Sequence, residues 1–187
     1  MLQHGIRNPP HTWPFQYFHN YEHPQYRTST SHSLSGFSYR AVFFGGWTFS
    51  STGALPNGTN AYADTKFKAL NFTADTSAGL TYVSRTNTNA TEIELGAFTS
   101  NVMEIRTAGT TYCRINGAIY GSFADTNSIG TYTLVRDNSA NEKFYKDGVL
   151  KLTNASVVAG LESLSFYLGA VNNGVSAQYY STKECAI

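Results

Sequence analysis

Tyr132-Thr133-Leu134-Val135-Arg136 is followed by Asp137-Asn138-Ser139-Ala140-Asn141-Glu142, then Lys143-Phe144-Tyr145-Lys146, Asp147-Gly148 and Val149-Leu150-Lys151-Leu152. The flanking runs alternate apolar and polar residues, the period of a strand with one buried face. Asp147-Gly148 between two such runs predicts a two-residue hairpin, because a type I′ turn needs φ > 0 at both positions. Asp137 to Glu142 reads as the turn before it. A later run, Leu164 to Ala170, ends at Asn172-Asn173-Gly174, another turn. The stretch is an antiparallel β meander.

The same punctuation runs back to Phe37. Short apolar runs at Arg40–Phe44, Trp47–Phe49, Phe67–Phe72, Leu80–Arg85, Asn101–Arg106 and Thr111–Ile115 are separated by Gly, Asn, Asp and Thr. Glu92-Ile93-Glu94-Leu95 alternates, which predicts Ile93 and Leu95 inward and both carboxylates outward. Asn116-Gly117 predicts a second I′ hairpin into Ala118-Ile119-Tyr120. No window of twelve residues shows a 3.6-residue period. Strands at roughly ten-residue spacing predict an all-β, two-sheet antiparallel sandwich.

The chain of 187 residues is 41% hydrophobic and 14% aromatic, enough for one core burying about 70% of the unfolded surface. Its net charge of +1 with 13% charged residues lacks the clustered Lys and Arg of a nucleic-acid binder. There is no apolar run long enough for a membrane span and no signal-peptide pattern at the start. Cys113 and Cys185 lie in strand-like runs. They read as two buried thiols, and a bridge between them would stabilise by about 4 kcal/mol through closing a loop of about 70 residues. Residues 1–36 differ from the rest. They hold all five histidines, His4, His11, His19, His23 and His32, and four prolines, Pro9, Pro10, Pro14 and Pro24. They read as a loosely ordered leader to a domain over 37–187, with metal binding or sugar stacking as the alternative use.

Several pieces, in order, resemble a known family. Gly46-Trp47, Asn57-Gly58-Thr59, Tyr62-Ala63-Asp64-Thr65, Tyr82-Val83-Ser84-Arg85-Thr86-Asn87, Leu95-Gly96-Ala97, the Lys-x-Tyr-Lys-Asp-Gly hairpin and Tyr167-Leu168-Gly169-Ala170-x-Asn172-Asn173-Gly174 are similar to laminin-G-like domains of the concanavalin A-like lectin and glucanase superfamily. The resemblance covers about residues 40 to 187 and implies a jelly-roll sandwich. Such domains usually continue past the point where this chain stops, so the resemblance implies a truncated C-terminus or a last strand at a sheet edge.

The resemblance also frames the chemistry. Jelly-roll glucanases of the laminarinase type carry Glu-x-Asp-x-Glu on one strand face, with retaining carboxyls about 5–5.5 Å apart. Glu92-Ile93-Glu94 has Thr88 and Gly96 where a further carboxylate would sit, so the two glutamates read as exposed surface charges and no catalytic residue is assigned. There is no Gly-x-Ser-x-Gly elbow. Calcium, common in the resembled fold, would need loop carboxylates such as Asp64, Asp75, Asp125 and Asp137, which form no dense cluster, so no cofactor is assigned.

The expected activity is non-catalytic carbohydrate binding or adhesion, with partners that are glycans or a surface or virion protein. The setting is extracellular, cell-surface or virion-associated. A structural domain of a phage or virion particle is the alternative, and a jelly-roll glycosidase a remote third. Candidate ligand-binding residues are Tyr82, Arg85 and Asn87 about one strand, Tyr132 and Arg136 on another, and Tyr145, Tyr167, Asn172 and Asn173 around the anchor hairpin. Tyr faces stack on sugar rings while amides and charges bond hydroxyls. A strand Tyr is equally a half-buried packing residue, and Arg136 equally a partner for Asp137, Glu142 or a backbone carbonyl.

Overall fold

The computed structural model describes residues 40–71, 74–97 and 101–186. The leader, and with it every histidine except in sequence, lies outside the described residues. No α-helix occurs among the described residues, and the only helical turn is a 3-10 turn at Ala69–Asn71.

Fifteen strands follow in order: β1 (Val42–Phe44), β2 (Trp47–Phe49), β3 (Ala54–Pro56), β4 (Tyr62–Lys68), β5 (Ala78–Ser84), β6 (Leu95–Ala97), β7 (Asn101–Thr107), β8 (Thr110–Ile115), β9 (Gly121–Ala124), β10 (Gly130–Arg136), β11 (Asn141–Lys146), β12 (Val149–Ala155), β13 (Ser165–Leu168), β14 (Val171–Asn172) and β15 (Ala177–Gln178). One sheet runs β1-β4-β13-β6-β7-β8-β9, with β14 and β15 joined to β6. The other runs β12-β11-β10-β5. Pairings are antiparallel except for the short β14–β6 contact, which is parallel. The architecture is an all-β sandwich.

Alternation builds the core. Tyr132, Leu134 and Arg136 on β10 are buried while Thr131, Thr133 and Val135 between them are not. Tyr82, Tyr132, Leu134 and Phe144 from the smaller sheet meet Met103, Ile105, Cys113 and Ile115 from the larger. Phe144 is 1% exposed. Truncating such a ring costs about 3–5 kcal/mol in lost transfer energy plus the cavity left behind.

Asp147 and Gly148 have φ of 52° and 75°, the expected I′ turn between β11 and β12. The Asn116-Gly117 hairpin does not form. Asn116 has φ of 48°, yet Ile115 and Gly121 are joined by residues 116–120, which leave the sheet. Ala118 N–H bonds Val157 O at 3.0 Å and Gly117 bridges Val158. Gly117 is pressed so close to Ser156 and Arg136 that a Cβ would lie 2.7 Å from Ser156 Oγ and 2.9 Å from Arg136 Nη2. Docking on a distant segment overrides the local turn. The tight hairpin is instead Ala108-Gly109, φ of 50° and 77°, between β7 and β8. Ala is a poor left-handed residue, so the sequence hides it.

The Glu92–Leu95 strand is also corrected. β6 begins at Leu95, and Glu92 and Glu94 point inward, 5% and 0% exposed. Glu94 N–H bonds Met103 O while Leu95 is the register partner of Met103. Two consecutive residues thus face one, and the alternation slips by one place. Ile93 is left to pack with Val102 and Val171.

The last segment is no sheet edge. Cys185 bridges Ala54 of β3 on one side and Ser84 of β5 on the other, with paired 2.9 Å bonds between Ala54 and Cys185. The second layer therefore continues from β5 through the C-terminal segment to β3 and β2. Gly53 admits this close approach, since a Cβ there would lie 2.1 Å from Cys185 O. Both cysteines are free and buried. Burial raises both thiols, Cys185 to about 11.

The strained alanine yields a test. Ala108→Asn converts Ala-Gly into the preferred Asn-Gly turn and should stabilise by about 1 kcal/mol, the usual left-handed penalty. A higher urea midpoint at unchanged slope confirms it, and a lower midpoint counts against the turn.

Candidate functional site

On the larger sheet Phe166 and Leu168 of β13 face the interior, so Tyr167 between them faces out. Tyr62 of β4 and Phe44 of β1 stand beside it, Phe44 being the register partner of Tyr62. The rings stack in a row: Phe44 on Tyr62 at 4.8 Å and 15°, Tyr62 on Tyr167 at 4.6 Å and 27°. Such offset stacks add about 0.5–1.5 kcal/mol beyond burial. Here they hold three rings edge-up across three adjacent strands.

A distortion places charge beside the row. Thr65, Lys66 and Phe67 lie opposite Phe166 alone, because Asp64 pairs with Tyr167 and Lys68 with Ser165. This bulge puts Lys66 at φ of 60°, unusual for a residue with a side chain. Asp64 holds it there: Oδ1 accepts Lys66 N–H at 2.8 Å and Oδ2 accepts from Lys66 Nζ at 2.7 Å. Burial works to raise the Asp64 carboxyl, but bonds from Lys66 and Ser165 outweigh it and hold it below the usual range. Burial raises the Tyr62 and Tyr167 phenols, with Asp64 and the neighbouring Tyr180 adding to the rise. Strain, shifted titrations and half-exposed rings converge on one patch. Asp64 is thus a strand residue, not a loop ligand.

The sequence-predicted residues scatter. Tyr167 lies in the row. Tyr145 is half-buried on the outer face of the smaller sheet, next to inward Phe144, and so points away from the opposite side of the sandwich. Four are inside the fold. Tyr82, 4% exposed, donates to Lys183 O at 3.1 Å. Tyr132, 0% exposed, donates to Asp125 Oδ2 at 2.7 Å. Arg136, 1% exposed, donates to Ile115 O and Ser156 O, both at 2.8 Å, and meets Glu142 at 3.5 Å. Asn172 donates to Ser165 O at 2.9 Å. Their polar atoms are spent on the fold, because a buried polar group without a partner is costly. Arg85 and Asn87 are exposed, with Asn87 Oδ1 accepting Ser128 N–H at 3.1 Å. Asn173 caps its own loop through Val175 and Ser176 N–H. Phe44, Tyr62 and Lys66 were missed. Tyr62-Ala63-Asp64-Thr65 stood in the sequence as a family-like piece, but nothing local shows that β1 and β13 flank it.

The loop acids suit salt bridges better than a cation. Asp125 is met by Lys146 Nζ at 2.7 Å and by Thr111 and Tyr132 hydroxyls. Asp137 is met by Lys143 at 2.7 Å. No group of three His, Cys, Asp or Glu fit to hold a metal occurs among the described residues, and no helix among them is long and apolar enough to cross a membrane.

No family model matches the chain, and no curated protein matches it. Among solved structures it is similar to the mouse laminin α1 chain, domains LG4-5, at 15% identity and a TM-score of 0.42. The alignment covers 79% of this chain and 39% of that one.

Asp125 gives a pH test of this internal chemistry. Burial raises its carboxyl, but hydrogen bonds from Lys146, Tyr132, Asn127 and Thr111 more than offset that and hold it below the usual range. A depressed folded value stabilises above the unfolded value and is lost as pH falls through the folded one. Asp125→Asn should therefore cost about 3 kcal/mol at pH 7. The gap to the parent should start to narrow at about pH 4, the unfolded value, and keep shrinking as pH falls through the lower folded one. Denaturant midpoints across pH measure it, and a pH-independent gap would contradict the assignment.

Proposed function

We propose that the domain is a non-catalytic carbohydrate-binding or adhesion module, and that its contact face is the row Phe44, Tyr62 and Tyr167 with Asp64 and Lys66. The observation that carries this reading is the stack of three rings on neighbouring strands at 4.8 and 4.6 Å beside a fixed ion pair at 2.7 Å. Sugars offer apolar C–H faces rimmed by hydroxyls. The exposed ring edges match the first, and phenol, carboxylate and ammonium groups match the second. The pieces are preorganised, so little ordering is lost on binding. Glu92 and Glu94, the carboxylates a glycosidase would need, are buried and bonded to Lys183, which supports the non-catalytic reading.

A protein contact on a particle or cell surface is the second reading. Val149, Leu150, Ile119 and Val157 are 50–61% exposed along edge strand β12 and its neighbouring loops, an apolar set a protein partner would cover.

A glycan array followed by NMR titration separates them. Tyr62→Ala and Tyr167→Ala should each weaken a bound glycan about tenfold, the worth of one aromatic contact. Lys66→Gly should raise stability by relieving the left-handed φ while lowering affinity. A folded, monodisperse parent that binds no glycan sinks the carbohydrate reading. Binding that survives both Tyr variants sinks the site.

A further inference from the structure

Lys183 is 0% exposed between the two layers. Its Nζ lies 2.9 Å from Glu94 Oε1 and 3.1 Å from Glu92 Oε2. One ammonium and two carboxylates thus share a space closed to water. Burying a charge away from water is costly before pairing, so the cluster gains by any change that removes charge. Joining amine to carboxyl as an amide removes two.

The two carboxyls differ. Glu92 is surrounded by donors: Thr182 N–H to Oε2 at 2.8 Å, Ser181 Oγ to Oε2 at 3.4 Å, and Thr182 Oγ1 to Oε1. Donors fixed on a carboxyl's oxygens are what a tetrahedral intermediate needs. Glu94 meets Nζ through Oε1 and accepts Ile105 N–H on Oε2. Burial raises its carboxyl to about 7 against the pull of Lys183, so near neutral pH it can both take and return a proton.

The geometry points to an intramolecular isopeptide bond between Lys183 Nζ and Glu92 Cδ, with Glu94 as the proton relay. Glu94 Oε1 takes one proton from Nζ. The freed lone pair attacks Glu92 Cδ and the N–C bond forms. Oε1, held by Thr182 Oγ1, gains charge, while Oε2, beside Nζ, is the oxygen that leaves. The Cδ–Oε2 bond breaks. Its oxygen leaves as water with two of the ammonium's three protons, one returned by Glu94, and the third stays on the amide nitrogen. Glu94 ends as it began, and no further reactant is consumed. Fixing the partners supplies an effective concentration of about 10⁵–10⁸ M, which offsets the poor equilibrium of condensation in water. The bond would lock residues 181–186 between β3 and β5. It stands apart from the carbohydrate reading and fails separately.

The test is the intact mass of the denatured full-length chain, allowing for loss of the first methionine. The expected mass is lower than the sequence mass by one water, with a branched tryptic peptide joining Glu92 to Lys183. Lys183→Arg should restore full mass, and Glu94→Gln should slow the mass loss about 100-fold or more, the contribution of a positioned acid–base group. A folded parent that keeps full mass after prolonged incubation at neutral pH overturns the proposal, whether or not either variant folds. A deficit surviving in Lys183→Arg, or a cross-link mapped to Glu94, overturns it equally.

Discussion

The sandwich closes around an ammonium group. Lys183 arrives in the last few residues and sits between carboxylates about ninety positions earlier. Two hydroxyl residues, Ser181 and Thr182, complete the cluster, and Tyr82 caps the Lys183 carbonyl. Buried charge is tolerated only when every partner is present. Until the C-terminal segment slots between β3 and β5, Glu92 and Glu94 have no cation and the second layer has a gap. The segment's backbone bonds to Ala54, Val83 and Arg85 and its charge pairing therefore depend on each other. Contacts across such sequence separation are slow to form.

The same economy recurs at two other places between the layers. Arg136 reaches across to Ile115 and Ser156 carbonyls with Glu142 alongside. Asp125 gathers Tyr132, Thr111 and Lys146. Each is a charged group whose hydrogen bonds run to several strands, so each fixes register as well as charge balance. A chain with few charged residues spends many of them inside. What remains outside for recognition is aromatic and neutral polar surface, fixed pairs such as Lys66–Asp64 and Lys143–Asp137, and scattered charges such as Lys68, Arg85 and Lys151.

That division explains the outer face of the larger sheet. A flat row of rings would slide unless something held its spacing. The bulge at Thr65–Phe67, tied down by Asp64 and by Thr65 Oγ1 bonding Phe166 O at 2.8 Å, sets Tyr62 against Tyr167 and brings the Lys66 ammonium beside them. Local strain is retained there because the surrounding strands over-determine it.

Period-two patterning and Asp147-Gly148 were enough to read an all-β sandwich and the β10–β12 meander, since hairpin geometry is decided within a few residues. The same local rules misplaced Asn116-Gly117, where Arg136 and Ser156 press in from elsewhere, and overlooked Ala108-Gly109, where the turn is imposed on an ill-suited residue. They turned Glu92 and Glu94 outward because alternation cannot register a one-residue slip against Met103 or a lysine near the chain's end. Of the predicted binding residues, Tyr167 lies on the aromatic row, while Tyr82, Tyr132, Arg136 and Asn172 are internal ties. Residue type marks what a side chain can bond. Which face it occupies, and whether a partner has already claimed it, is settled only when distant strands pack.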